Sequence, residues 1–290
     1  MRTTEQMMDI ILHVANQDER VRAVCMNGSR TNPNAPADPF QDYDIVYLVT
    51  ELDSFVRNPG WVDVFGERII MQTPEKMAMF PPGLGGRFSY LMLFQDGNRI
   101  DLTLVPIHEQ EKYLQEDKLT VVLLDKDRSL PQLPPPSDED YRVKPPSREF
   151  FADCCNEFWW VSTYVAKGLW RQEMLYAQDH LHQVVRPMLM KMLEWQAGIR
   201  TDFLISIGKN GKYLEKYMSK QSWDELMSTY ACGNEEETWN ALFTMCRLFR
   251  DSALFVSDHF GFEYPERDDR LVTAYLERVR KLPPDAVEIY

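Results

Sequence analysis

No stretch of this 290-residue chain approaches the roughly 20 consecutive apolar residues that a helix needs to cross a bilayer. Also missing at the start is a basic opening followed by an apolar run and a small-residue cleavage site, so no signal peptide is expected. Both absences point to a protein of the cytoplasm with no membrane partner. Cysteines are few. Cys25, Cys154, Cys155, Cys232 and Cys246 are odd in number, and their spacing fits neither a zinc site nor a disulfide framework. Reduced thiols are expected, with Cys154 and Cys155 acting as small core residues of a helix. Positive charge is short as well: 32 Lys and Arg stand against 45 Asp and Glu, a formal charge of −13. Proteins that grip phosphate backbones carry basic surface, so nucleic acid is not the expected partner. An acidic surface instead concentrates cations, although acidity alone also serves solubility. Among the five histidines, His180 and His182 are two apart on a helix and make a poor metal pair, while His13, His108 and His259 are isolated.

What is present is the balance of a globular protein, 44% apolar and 27% charged, with length for two modest domains. Helical spacing runs over 4–17. Strands are expected at 21–26, 44–50 (DIVYLVT, apolar enough to be buried on both faces), 67–72, 88–95, 99–105 and 121–124. Asp96-Gly97-Asn98 reads as a hairpin turn between two of them. Residues 129–147 hold six of the 18 prolines and can form neither a helix nor a central strand, so they read as a connector between two domains, with a long surface loop as the alternative. Beyond it, helical periodicity covers 149–170, 173–195 (with a kink at Pro187), 212–218, 222–231, 235–259 and 271–281. The expected architecture is α+β. A domain with a mixed β-sheet spans 1–134, and a helical bundle spans 135–290.

Three pieces carry chemistry. Gly28-Ser29-Arg30 follows a short strand, where glycine permits close backbone approach. The serine hydroxyl, free amides and arginine fork all suit phosphate oxygens. Asp42 and Asp44 open the most apolar strand, and residues two apart on a strand share a face. Two carboxylates so close repel unless a cation lies between them, and hard oxygen ligands suit Mg²⁺. Asp101 lies 57 residues after Asp44, on the polar face of the hairpin's return strand, and can join the pair. Each piece alone also has a structural reading: a common turn, an acidic strand start, a solvated edge.

Together they resemble the nucleotidyltransferase superfamily, whose pattern is Gly-Ser, then D-x-D, then a third carboxylate on a neighbouring strand. The runs GSRTNPN, FQDYDIVYLVT, DGNRIDLTLVP, DCCNEFWWVSTYVAKGL, DHLHQVVRPMLMKMLEW and ELMSTY are similar to the aminoglycoside 6-adenylyltransferases, the streptomycin-modifying branch, over nearly the whole chain. The resemblance implies transfer of AMP from ATP to a hydroxyl of a cationic acceptor, with release of pyrophosphate. It implies one or two magnesium ions held by Asp42, Asp44 and Asp101, with Asp101 or Glu157 taking the acceptor's proton. Acceptor recognition would fall to Asp153, Glu157, Trp160 and Tyr164, one stripe of a helix, and to Asp179. That stripe could also be a solvated face, and Asp179 could pair with Arg186. Lys209 and Lys212 would reach the triphosphate or remain solvated loop charges. A monomer is expected. Alternative readings are a protein or RNA acceptor, or a nucleotide-binding module without catalysis.

Overall fold

The alternating apolar runs of the N-terminal half build one mixed sheet. In the computed structural model, which describes residues 1–230 and 233–290, the chain divides into two units, Met1–Asp140 and Tyr141–Tyr290. The expected helix end at Ala231 and the thiol of Cys232 lie outside the described residues.

The first unit runs α1 (Thr4–Gln17), β1 (Val21–Asn27), β2 (Tyr43–Val49), α2 (Leu52–Arg57), β3 (Arg68–Gln72), β4 (Phe88–Phe94), β5 (Arg99–Pro106), α3 (Gln110–Glu116) and β6 (Val121–Asp125). Thr3 starts α1 with a reciprocal capping box to Gln6. Sheet order is β3-β4-β5-β2-β1-β6; β2 and β5 run parallel and every other neighbouring pair is antiparallel.

Strand alternation sorts the side chains. Tyr43, Ile45, Tyr47 and Val49 share one core with Ile100, Leu102 and Leu104, beneath Met7 and Ile11 of α1. The Tyr47 hydroxyl donates to the Ile11 carbonyl at 2.6 Å and ties that helix down. On the other face, Val46, Leu48 and Val105 pack with Cys25 and with Tyr113 of α3. Asp44 and Asp101 fall on this second face by the same alternation. The apolar cover there involves the later residues of both strands, and the carboxylates stand at their starts.

The second unit runs α4 (Arg148–Trp170), α5 (Met174–His180), α6 (Arg186–Arg200), α7 (Lys220–Ser228), α8 (Glu235–Phe260) and α9 (Glu266–Lys281). Ser147, Ser219 and Asn234 cap α4, α7 and α8 with side-chain oxygens. Phe151, Cys155, Phe158, Ser162, Val165 and Leu169 form the buried stripe of α4, with Phe158 stacked at 3.8 Å on Phe249 of α8. Between α5 and α6 the backbone widens to a π-helical stretch, Leu181–Val185. Pro187 lacks the N–H that a regular ladder would require, so the break expected there is absorbed one turn earlier. The helix expected over 212–218 does not form; Leu214–Tyr217 is a 3₁₀ turn. The apolar residues there follow two positive-φ glycines, Gly208 and Gly211, which interrupt any regular helix. Among the described residues, no helix is long and apolar enough to cross a membrane.

Candidate active site

The parallel register of β2 and β5 sets Asp44 opposite Asp101. Asp42 stands one residue before β2. One carboxylate oxygen from each of the three lies within 4.8 Å of the others, and among the described residues this is the one group of His, Cys, Asp or Glu side chains with metal-ligand spacing. Strand β5 is interior, flanked by β4 and β2, so the polar face carrying Asp101 is not an edge left to solvent.

Gly28 begins the turn after β1 at φ +76°, and a Cβ built there would overlap the Asp44 carboxylate, coming within 2.8 Å of its Cγ. Only glycine lets the Asp44 side chain lie flat against this backbone. Burial pushes the Asp44 carboxyl up to about 7, and the charges of Asp42 and Asp101 push in the same direction while Arg99 opposes them. A hard, all-oxygen donor set with one carboxylate held back from ionising fits a divalent cation such as Mg²⁺. Asp42, Asp44 and Asp101 would hold it.

Ser29 sits in the same turn, Gly28–Arg30, and its carbonyl accepts from Gln41 Nε2 at 3.2 Å. Arg30 is partly committed elsewhere. Its Nε donates to the Asp42 carbonyl at 2.9 Å and its Nη2 to the Gln41 carbonyl at 2.8 Å, while the guanidinium lies 3.7 Å over the Tyr43 ring. It braces the chain that delivers Asp42. Two further residues, overlooked in the sequence, shape the site. Asn27 accepts from the Tyr113 hydroxyl at 2.6 Å and donates to Thr120 Oγ1 at 2.7 Å, fixing the entry to the Gly28 turn. Arg99 binds Asp101 with both arms of its fork, at 2.7 and 2.6 Å. Its place two residues before Asp101, on the same strand face, was readable from alternation.

The remaining candidates belong to the second unit. Along α4, Asp153, Glu157 and Trp160 are exposed and Tyr164 is half-buried. Trp160 is 59% exposed, large for an apolar ring, and its Nε1 donates to the Tyr164 hydroxyl at 2.9 Å. Tyr164 in turn meets Lys167 at 4.6 Å and the edge of His180 at 5.5 Å. Asp179 is exposed on α5 and does not meet Arg186. Arg186 turns inward instead, donating to His182 Nδ1, Thr229 Oγ1 and the Thr229 carbonyl beneath the Tyr230 ring, because a buried guanidinium must fill its donors. Lys209 and Lys212 are exposed at either end of the Gly208–Gly211 turn. A cavity of about 720 Å³, lined by Trp159, Trp160, Phe262 and Asp268 among others, lies within this unit. Of the five candidate acceptor residues, Trp160 alone lines it.

Two carboxylates level on neighbouring strands and a third just before them, beside a Gly-Ser turn, fit a nucleotidyltransferase, and the chain's relatives make it one. It belongs to the streptomycin adenylyltransferase family, whose model matches residues 1–279. It is 49% identical over 280 residues to the aminoglycoside 6-adenylyltransferase of Bacillus subtilis (strain 168), covering 96% of this chain and 98% of that one. The Campylobacter jejuni protein of the same description is 43% identical over 281 residues, covering 97% of each chain. A crystal structure of an aminoglycoside 6-adenyltransferase from Bacillus subtilis aligns with 97% of this chain and 100% of its own, at 44% identity and a TM-score of 0.49.

Proposed function

We propose that this chain moves AMP from ATP to a hydroxyl of an aminoglycoside of the streptomycin type, at the 6-position, with pyrophosphate as the other product. The observation that carries this reading is the cluster of Asp42, Asp44 and Asp101 beside the Gly28-Ser29 turn. The names of the relatives support the acceptor class.

In this reading the 1–134 segment is the nucleotide-binding domain, and 135–290 binds the acceptor. Asp42, Asp44 and Asp101 hold magnesium, which when bound neutralises phosphate charge and stabilises the entering and leaving oxygens. The Ser29 hydroxyl and the amides of the Gly28 turn take phosphate oxygens, and Arg30 holds Asp42 in place through its backbone. Lys209 and Lys212 add charge for the triphosphate. Asp153, Glu157 and Asp179 pair with the acceptor's cationic groups, with Trp160 and Tyr164 covering its apolar faces. Asp101 or Glu157 takes the acceptor's hydroxyl proton. Positioning and electrostatics supply most of the rate in such transfers. The enzyme acts in the cytoplasm as a monomer.

The test is pyrophosphate release from ATP and Mg²⁺ with streptomycin, kanamycin, spectinomycin or no acceptor. Release that requires streptomycin and vanishes in Asp44→Asn is the expected result. Binding of Mg-ATP without release for any acceptor would overturn the acceptor assignment.

A further inference from the structure

Arg99 opens β5 two residues before Asp101, so both side chains stand on one face of the sheet. The Arg99 Nε lies 2.7 Å from Asp101 Oδ1, and Nη2 lies 2.6 Å from Oδ2. The same Nε is 3.8 Å from Asp42 Oδ2. One guanidinium thus spans two of the three carboxylates of the cluster. Both Asp101 oxygens are engaged by the fork, a bidentate geometry that only arginine supplies. Each Asp101 oxygen keeps a second lone pair, so what the fork opposes is charge: a cation in the cluster would sit beside a guanidinium already bound there. The Arg99 side chain is 46% exposed, so it has open solvent into which to swing.

Resting on the metal reading above, we propose that Arg99 is a built-in counter-cation that holds Asp101 until nucleotide arrives. Arg99 occupies Asp101 in the free enzyme, releases it when the divalent cation and the triphosphate enter together, and turns its freed fork to the incoming phosphate oxygens. Charge balance favours this exchange. Three clustered carboxylates without Arg99 attract a bare divalent ion strongly, whereas with Arg99 one positive charge is already in place. The consequence is coupling: the enzyme binds metal weakly by itself and tightly with nucleotide. Arg99 is therefore a positioning residue that orders substrate entry, and its effect is visible without turnover.

The experiment is Mn²⁺ titration of the full chain, read from the electron paramagnetic resonance signal of free Mn²⁺, with and without the non-transferable analogue α,β-methylene-ATP. Wild type, Arg99→Gln, Arg99→Lys and Asp44→Asn are compared. The expected result is that Arg99→Gln binds Mn²⁺ alone about tenfold more tightly than wild type. Its gain in affinity on adding the analogue should shrink by a similar factor. Arg99→Lys, which keeps the charge and loses the fork, should fall between. Equal Mn²⁺ affinity of wild type, Gln and Lys variants without nucleotide overturns the role of Arg99, while Asp44→Asn failing to bind leaves the metal site itself standing. If wild type binds no Mn²⁺ even with the analogue, the metal reading falls and this proposal falls with it.

Discussion

Gly28 and Asp44 are in such close approach that a single added methyl at 28 would occupy the space of the Asp44 carboxylate. The turn between β1 and β2 and the Asp44 side chain are one construction. Gly28→Ala should therefore lower turnover by at least about 100-fold, since a misplaced ligand in a preorganised site is that costly. The alanine also faces a left-handed backbone, worth about 1 kcal/mol. Steady-state rates with a parallel thermal melt check this. A variant with near-normal turnover would show that Asp44 can move aside without loss.

Asp44 carries a second consequence, for stability. Its folded carboxyl sits near 7, above the ordinary range around 4 for an unfolded chain. Between these values the folded protein holds a proton that the unfolded chain has lost. Stability from this group is fully present below about 4 and disappears as pH rises through 7. In EDTA, Asp44→Asn should remove that slope and, at pH 8, exceed wild type by about 1–3 kcal/mol. Urea unfolding at pH 5 and pH 8 reads both effects. A less stable Asn variant at pH 8 would mean that the three carboxylates do not strain the metal-free fold. Gain of stability with loss of turnover is the usual signature of a site built for charge it does not itself neutralise.

The site's outline was legible because period-two alternation is strict. RIDLTLV assigns Asp101 to the face opposite Ile100, Leu102 and Leu104, and the structure keeps that assignment, while DIVYLVT, apolar on both faces, told only that Asp42 and Asp44 share one. The parallel pairing of β2 with β5, which brings the aspartates level, has no local signal, since register between distant strands depends on tertiary packing. Short helices such as α2 and α3 span fewer than two and about two turns, too little for periodicity to show. Arg186 misled for a different reason. Its i+7 spacing from Asp179 suggested a surface pair, but the π-helical stretch between them changes the facing, and Arg186 fills its donors inside.

Buried ionic links outside the site are expected to matter for folding alone. Asp269 is 4% exposed and accepts from Arg250 at two positions and from the Tyr264 hydroxyl at 2.7 Å, joining α8 to α9. Removing it leaves the half-buried guanidinium with only the Thr273 hydroxyl, at 3.0 Å, and takes the carboxylate away from the buried Tyr264 hydroxyl. Asp269→Ala should cost about 3–5 kcal/mol, and Tyr264→Phe about 1 kcal/mol. Denaturant unfolding measures both. Equal costs for the two would indicate that Arg250 finds another partner.

The thiols offer a probe of the native core. Burial raises Cys25, Cys154 and Cys246 to about 12 and pushes Cys155 up as well. At pH 8 almost none of their thiolate exists, and the thiolate is the reactive species. In a Cys232→Ser background, a chromogenic disulfide reagent should find no fast-reacting thiol until denaturant is added, then four. Rapid reaction of any of them in native buffer would show local opening of the helices or the sheet that cover them.

Trp160 separates the acceptor role from packing. It is 59% exposed and lines the cavity of the second unit, so truncation removes little buried area. Its one hydrogen bond, to the half-buried Tyr164, runs along the helix surface and contributes little to stability. A cation stacked on an indole is worth about 0.5–2 kcal/mol. Trp160→Ala should then leave the melting temperature within about 1 °C of wild type and raise the acceptor KM by about 3- to 30-fold, with the KM for ATP unchanged. Trp160→Phe should recover part of the loss, because an aromatic face remains. A variant with both KM values raised equally would place Trp160 in support of the protein as a whole rather than against the acceptor. Unchanged values for both would return the exposed stripe of α4 to a solvated helix face and leave acceptor binding to Asp179 and to residues outside that stripe.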